Sequence, residues 1–382
     1  MTPSSRSAHS VRPEHRLLGR RNLLIGAAGL AGLGGGAFWE IERRMGSSAD
    51  YGEAVRAMRS TLDARPGTRD LIRFATLAPN GHNTQPWRFE AARDRITIRP
   101  DFSRRTPVVD PDDHHLFVSL GCAAETLALA ASSRGLGGDL RFDAFEGGAI
   151  RFDYGPTQPV GSDLFDAIPR RQSTRSDYDG RAVSTANLKA LAVAGTIPGV
   201  DLELITDRPR MNQISDLVVA GNTRQMTDPA FIRELKTWLR FNPGQALRTG
   251  DGLYGPASGS PALPEWLGPV VFDRLVTARS EGDRYAGQMR SSAGVAVFIG
   301  AAADRDHWVR VGRACQRFAL QATALGLKCA FVNQPVEVPA LRPDLSALVG
   351  LPGRRPDVVM RFGHGPEMPF SARRPVAAVM AA

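Results

Sequence analysis

Hydrophobic and polar positions divide the chain into three regimes. From residue 23 to 39 the run LLIGAAGLAGLGGGAFW carries no charge and follows a basic stretch holding Arg6, Arg12, Arg16, Arg20 and Arg21. Two later stretches, 121–136 and 312–327, repeat apolar residues at helical spacing, and each closes on a Gly-Leu pair suited to a helix C-cap. Shorter stretches alternate instead. RITIRPDFSR (95–104) and DLELITDRPR (201–210) read as strands running into an Asp with an Arg soon after, and GVAVFIGA (294–301) and DVVMRFG (357–363) read as further strands.

The two helical stretches match each other. Aligned without a gap, GCAAETLALAASSRGL and GRACQRFALQATALGL coincide at seven of sixteen positions. The order of strand, long helix and terminal Gly-Leu recurs, which predicts two tandem copies, 51–155 and 165–382, packed about a pseudo-twofold axis as a homodimer packs. The second copy is longer by an insertion at about 210–292. It opens with helical character (FIRELKTWLR) and then turns Gly- and Pro-rich. A long segment of that kind inside a compact domain is a lid or binding loop, or else a solvated excursion.

The first regime is an address. A basic region followed by a short apolar one is an export signal, and Arg20-Arg21 gives it a twin-arginine look, although Gly19 and Leu23 stand where Ser and Phe are commonest. Cleavage is expected after Ala49, placing the protein in the periplasm, or at the membrane if the segment stays. The run is shorter than the ~20 apolar residues of a spanning helix. Over the whole chain composition is that of a globular protein, 42 % hydrophobic and 23 % charged. The excess of 48 Lys+Arg over 39 Asp+Glu is scattered except at the N-terminus, without the basic-aromatic pattern that reads nucleic acid. Cys122, Cys315 and Cys329 have no zinc spacing and read as buried thiols. DPDDHH (110–115) reads as a helix N-cap turn, with no metal expected.

Two polar clusters carry the candidate chemistry. APNGHNTQPW (78–87) follows a helix-compatible run, and IPRRQSTR (168–175) opens the second copy. Arg171, Ser173 and Arg175 alternate, so an extended backbone puts them on one face, suited to a phosphate, or to solvent if the segment is a plain loop.

These clusters, with a G-x-A-x-x-x-x-x-L helix ending in Gly-Leu, resemble the nitroreductase family of FMN-dependent oxidoreductases. The duplicated single chain, with ARRP near its end, is similar to the Acg-type branch. The resemblance covers nearly all of the chain after residue 50. It implies an α+β fold in which two tandem copies form an intramolecular, monomeric pseudo-dimer. It also implies FMN contacts: Arg171, Ser173 and Arg175 at the phosphate and ribityl chain; Pro79, Asn80 and Gly81 along the ring; Asn83 and Gln85 at the loop or ring edge. Asn333 and Gln334 after the second long helix and its strand, and Arg373 and Arg374 at the phosphate, complete the set. Asn80 replaces the family's Ser, and an expected Lys near the phosphate is not matched.

Only one pairing of these halves is complete, the 78–87 loop with the 170–175 segment, so one FMN per chain is expected. The resemblance implies electron transfer from NAD(P)H or another donor through the flavin to a nitro- or quinone-type small molecule. The alternative is a protein that holds FMN under the insertion without turnover. The twin-arginine export machinery is the expected macromolecular partner.

Overall fold

The structure, a computed structural model, describes residues 43–381. The chain separates into a unit ending at Arg44 and a unit from Met45 onward, and every strand among the described residues belongs to the second. The expected export signal lies outside the described residues except for its last few positions. Of these, Ala49 sits in the first turn of helix Ser48–Met58, capped by Ser47, whose hydroxyl accepts from Asp50 N.

Two antiparallel sheets organise the chain. The first comprises β1 (Trp87–Ala92), β2 (Arg95–Pro100), β3 (Leu136–Asp143) and β4 (Ala149–Pro156), in the order β1-β2-β4-β3. The second comprises β5 (Val200–Ile205), β8 (Gly294–Gly300), β9 (Lys328–Phe331) and β10 (Val358–Gly363), in the order β5-β8-β10-β9. Short strands β6 (Leu239–Arg240) and β7 (Leu253–Tyr254) pair separately. Ranked along the chain, both four-stranded sheets run first-second-fourth-third. In both, a long helix joins the second strand to the third: His114–Ser132 in the first half, Arg305–Ala324 in the second. The architecture is α+β with one topology used twice.

That topology corrects one sequence reading. The similar segments 95–104 and 201–210 are not counterparts: by rank β5 matches β1, and β2 matches β8. Period-2 alternation is common to all half-buried strands, so it does not tell one rank from another. In the first half β1 and β2 form a tight hairpin, whereas the insertion separates β5 from β8.

The insertion is mainly helical, with helices Arg208–Met226, Pro229–Thr237, Pro243–Thr249, Gly268–Leu275 and Ala278–Arg290. It gives the second sheet a covered outer face. Ala296 and Phe298 of β8 pack into the core under helix Arg305–Ala324, while Val295, Val297 and Ile299 face Met211, Ile214, Val218 and Met289 of the insertion. Every residue of β8 is therefore buried, as the continuous GVAVFIG run requires of a strand covered on both sides.

The two long helices cross at Gly121 and Gly312. A Cβ on Gly121 would stand 2.1 Å from Val309 O, and a Cβ on Gly312 would stand 2.0 Å from Val118 O. Each glycine thus meets the residue three before its counterpart, the reciprocal pattern of a twofold contact. Around the crossing, Cys122 and Cys315 lie 3.5 Å apart between sulfurs, Gln316 Nε2 donates to Thr126 Oγ1 at 2.9 Å, and Arg313 and Arg317 bracket Glu125. The three cysteines are buried free thiols. The halves also interlock at the C-terminus, where Met380 bridges to Phe89 of β1, while within the second half Ser173 bridges to Cys329 of β9.

Candidate functional site

Helix Thr68–Ala75 ends at Thr76, and the chain then turns tightly through Asn80–Gln85 before entering β1. Five non-glycine described residues have positive φ, and three are here: His82 (46°), Asn83 (55°) and Gln85 (54°). Left-handed backbone costs an L-residue roughly 1–2 kcal/mol each, so the surroundings must hold the turn. They do so with side-chain amides. Asn80 Oδ1 accepts from Gln85 N at 2.8 Å, Asn83 Nδ2 donates to Gly252 O and Ala372 O, and Gln85 Nε2 donates to Gly250 O at 2.8 Å. Gln85 Oε1 accepts from Arg374 N at 2.9 Å. Asn83 and Gln85 therefore serve the loop, while Pro79 is buried beneath it. Gly81 is exposed, and a Cβ there would meet nothing within 4 Å, so its backbone faces open space. Trp87 is fully buried and anchors the exit of the loop in the core.

The segment 171–175 from the second half meets this loop. Arg171 is buried and donates through Nη2 to Leu77 O at 3.0 Å, while its Nε has no hydrogen-bond partner. Arg373 turns to the same place. Its guanidinium donates to Thr76 O at 2.6 Å, to Leu77 O and Ala78 O, and to Asn83 Oδ1 at 2.9 Å. These cations sit on the carbonyl end of a helix, where positive charge is favoured. Arg59 joins them from helix Ser48–Met58, donating to Pro169 O at 2.9 Å and lying 4.1 Å over the Phe370 ring. Burial lowers Arg171 to about 10 and Arg373 to about 9, the latter also through Arg171. Arg59 is pushed well below its ordinary value by burial, then by Arg373 and Arg171. Among the described residues no carboxylate acts on any of the three, so three buried guanidiniums stand together without an anion from that part of the chain.

Arg175 lies at the other end. No described residue gives its guanidinium a hydrogen bond or ion pair, and its carbonyl accepts from Gln288 of the insertion at 2.7 Å. Close by, burial first, then Arg175 and His115, holds His82 down to about 4, so its imidazole is neutral at pH 7. His82 Nδ1 is buried without a partner. Ser119 accepts weakly from Gly81 N (3.4 Å).

Not every expected residue converges. Ser173 makes the bridge to Cys329, and among the described residues no hydrogen bond engages its hydroxyl. Asn333 Oδ1 accepts from Val359 N at 2.9 Å and ties the segment after β9 to β10. Gln334 is buried with Oε1 unpartnered, packed against Gly221. Arg374 points away from Arg171, donating to Gln85 O and Ala378 O, with Asp101 at 4.0 Å. Of the C-terminal pair, Arg373 joins the buried cluster and Arg374 clamps the loop.

Sequence reasoning missed Arg59 and Arg361. Arg59 is one of many scattered arginines, and nothing local distinguishes it. Arg361 is fully buried in β10, donating to Thr174 O, Ser176 O, Gln288 O and Ser292 Oγ, and lies 4.0 Å over the Tyr178 ring. A lone charge inside the apolar VVMRFG strand was the available signal.

An oxyanion attached to a flat, amide-edged ring fits this chemistry. The buried arginines and the spare Arg171 Nε suit the anion. Gly81, Arg175 and the unpartnered His82 Nδ1 suit a ring edge carrying acceptors and an N–H.

No protein-family model matches the chain. It is similar to "Putative NAD(P)H nitroreductase Rv3131" of Mycobacterium tuberculosis (strain ATCC 25618 / H37Rv), 28 % identical over 357 residues, covering 87 % of this chain and 96 % of that protein. It is also similar to "Putative NAD(P)H nitroreductase acg" of the same strain, 25 % identical, covering 84 % of this chain and 96 % of that protein. Among solved structures, the FMN-dependent nitroreductase NfnB from Mycobacterium smegmatis in complex with NADPH superposes with TM-score 0.36 and 14 % identity, over 53 % of this chain and 87 % of that one. A nitroreductase with bound FMN from Desulfitobacterium hafniense DCB-2 gives TM-score 0.35 and 16 % identity, over 56 % and 94 %.

Proposed function

We propose that this chain is an FMN-dependent oxidoreductase of the nitroreductase type, built as a single-chain pseudo-dimer with one flavin site. The observation that carries the reading is the cluster of Arg59, Arg171 and Arg373, buried and without a carboxylate among the described residues, where the 76–85 turn of one half meets the 171–175 segment of the other. The names of the Mycobacterium tuberculosis relatives, each covered over 96 % of its length, support it.

Bound there, FMN would supply reversible two-electron chemistry between an NAD(P)H donor and a nitro- or quinone-type acceptor. The protein's part is binding and orientation. Arg171 and Arg59 would hold the phosphate, with Arg373 sharing its N–H groups between carbonyls and the ligand. Ser173, on the same extended segment, would reach the ribityl chain. Asn80 closes the turn, so that Gly81 presents bare backbone to the ring. Arg175 places a cation at the ring edge, where donors favour negative charge that develops on reduction.

The corresponding link in the second half, between helix Thr185–Ala194 and β5, is only a few residues long, too short for such a turn. The second interface site is therefore incomplete, which supports one flavin per chain. Export through the twin-arginine route, already folded around the cofactor, belongs to the same proposal.

A second reading is favoured by one observation: the insertion bonds to both halves of the site. Gly250 and Gly252 hold Gln85 and Asn83, and Gln288 holds Arg175. A flavin so enclosed would be stored rather than turned over. Anaerobic addition of NADPH to the purified, flavin-loaded chain decides between them. Bleaching of the flavin band within seconds supports the reductase. A band that stays oxidised with NADPH but bleaches with dithionite overturns it in favour of storage.

A further inference from the structure

Five titratable side chains converge where the start of helix His114–Ser132 meets the far end of the second sheet. Asp110, His114 and His115 each offer a ligand atom, and these atoms all lie within 4.8 Å of one another. The second half adds two carboxylates: Asp357 Oδ1 is 2.9 Å from His114 Nε2, and Glu337 Oε1 is 3.8 Å from His115 Nδ1. His114 and Asp357 are each 1 % exposed. Yet neither His114 Nε2 nor Asp357 Oδ1 makes a hydrogen bond, because the two atoms are close but not aligned for one. Buried polar atoms without partners are costly, so something else is needed to satisfy both. Two ligand atoms at zinc-ligand distances in tetrahedral geometry stand about 3.3 Å apart, close to the spacing seen.

We infer that Asp110, His114 and His115 of the first half, with Asp357 and Glu337 of the second, form a binding site for one divalent transition-metal ion. Two imidazoles with carboxylates and no thiol best match zinc. Each element around the cluster fits that role. Asp110 is oriented by the N–H groups of His115 and Leu116, both at 3.0 Å, and Asp357 Oδ2 by Gly300 N at 2.6 Å, the kind of support ligating carboxylates receive. His115 Nε2 lies 3.2 Å from Asp357 O, which leaves Nδ1 free on the Glu337 side. Gln225 from the insertion donates to Glu337 at 2.6 Å.

Charge also agrees. Arg355 is paired with Asp112, and Arg354 with Asp201. That leaves Asp110, Asp357 and Glu337 against Arg342, a net negative pocket. Such an ion would pin the two halves together.

The competing account is a single proton held between His114 and Asp357, which needs no metal. The test uses the full chain without an affinity tag, stripped by chelator, then titrated with Co²⁺ as a spectroscopic probe and with Zn²⁺. The expected result is one zinc per chain and visible Co²⁺ bands that zinc displaces. His114→Ala and Asp357→Asn should each weaken binding by at least ~100-fold, as losing a ligand exceeds losing its support. A folded wild-type chain that shows no Co²⁺ bands and holds no zinc above background overturns the inference. So does stoichiometric binding that survives both substitutions. The wild-type cobalt spectrum decides even if a variant fails to fold, and the result stands whether or not FMN binds.

Discussion

Adding one methyl group to either crossing glycine tests the pseudo-twofold core. In Gly312→Ala the new Cβ would stand 2.0 Å from Val118 O, where ordinary contact begins near 3.4 Å. The obstacle is main chain inside a helix, so no side-chain rotation relieves it. Helices His114–Ser132 and Arg305–Ala324 must separate by more than ~1 Å, loosening the Gln316–Thr126 bond and the Cys122–Cys315 contact between them. Overpacking of this kind costs about 3 kcal/mol, the upper part of the usual range, because rigid backbone must move. In a chain of this size that lowers Tm by about 4 °C. Gly121→Ala should cost the same, since its Cβ meets Val309 O at 2.1 Å. The double variant should fall short of the sum by more than ~1 kcal/mol, because either methyl already opens the shared crossing. Differential scanning calorimetry on the two singles and the double measures all three. A change below 1 °C for either single, or strict additivity, would refute the reasoning.

Other variants probe the site. Arg171→Met should weaken FMN about 10- to 100-fold, the value of a charge-assisted hydrogen bond, and leave riboflavin, which lacks the phosphate, within twofold; fluorescence titration of both flavins separates phosphate recognition from a general defect. Arg361→Met should destabilise by at least about 3 kcal/mol, since it strands the carbonyls of Thr174, Ser176 and Gln288, and the urea midpoint reports it. His82 is held near 4, against an ordinary 6.5, so the unfolded chain binds more protons between those values and stability falls as pH drops from 6.5 towards 4. His82→Asn, which suits the left-handed backbone, should flatten Tm against pH in that window, and an unchanged slope would count against the assignment.

How far the sequence revealed this arrangement depended on how local each signal was. The register Gly121 to Gly312, read from a gapless alignment, is the register at which the helices cross, because a glycine forced by close backbone approach leaves a mark at both copies. The 79–85 turn was legible through its amides, since the side chains of Asn80, Asn83 and Gln85 are what hold it; its left-handed backbone was not, because of the three residues that adopt it only Asn83 is of a type that favours it. Strand identity was not, since the alternation of 95–100 and 200–205 is shared by strands of different rank. The insertion's Gly- and Pro-rich text hid a helical layer whose role, covering Val295, Val297 and Ile299, is visible only once the sheet exists. Arg373 and Arg374 were inseparable as neighbours, and the fold turns one inward and one outward. DPDDHH reads locally as a helix start, and Asp110 does cap it. Its neighbours Asp357 and Glu337 come from the other half.

The central claim is one complete flavin site per chain, made by the first half's turn and the second half's arginine segment. The most direct measurement is equilibrium titration of the flavin-free full chain with FMN, followed by fluorescence quenching and by flavin-to-protein ratio after gel filtration. The account predicts saturation at one FMN per chain, abolished or strongly weakened in Arg171→Met. Saturation at two per chain, or no binding by a folded chain, would contradict it.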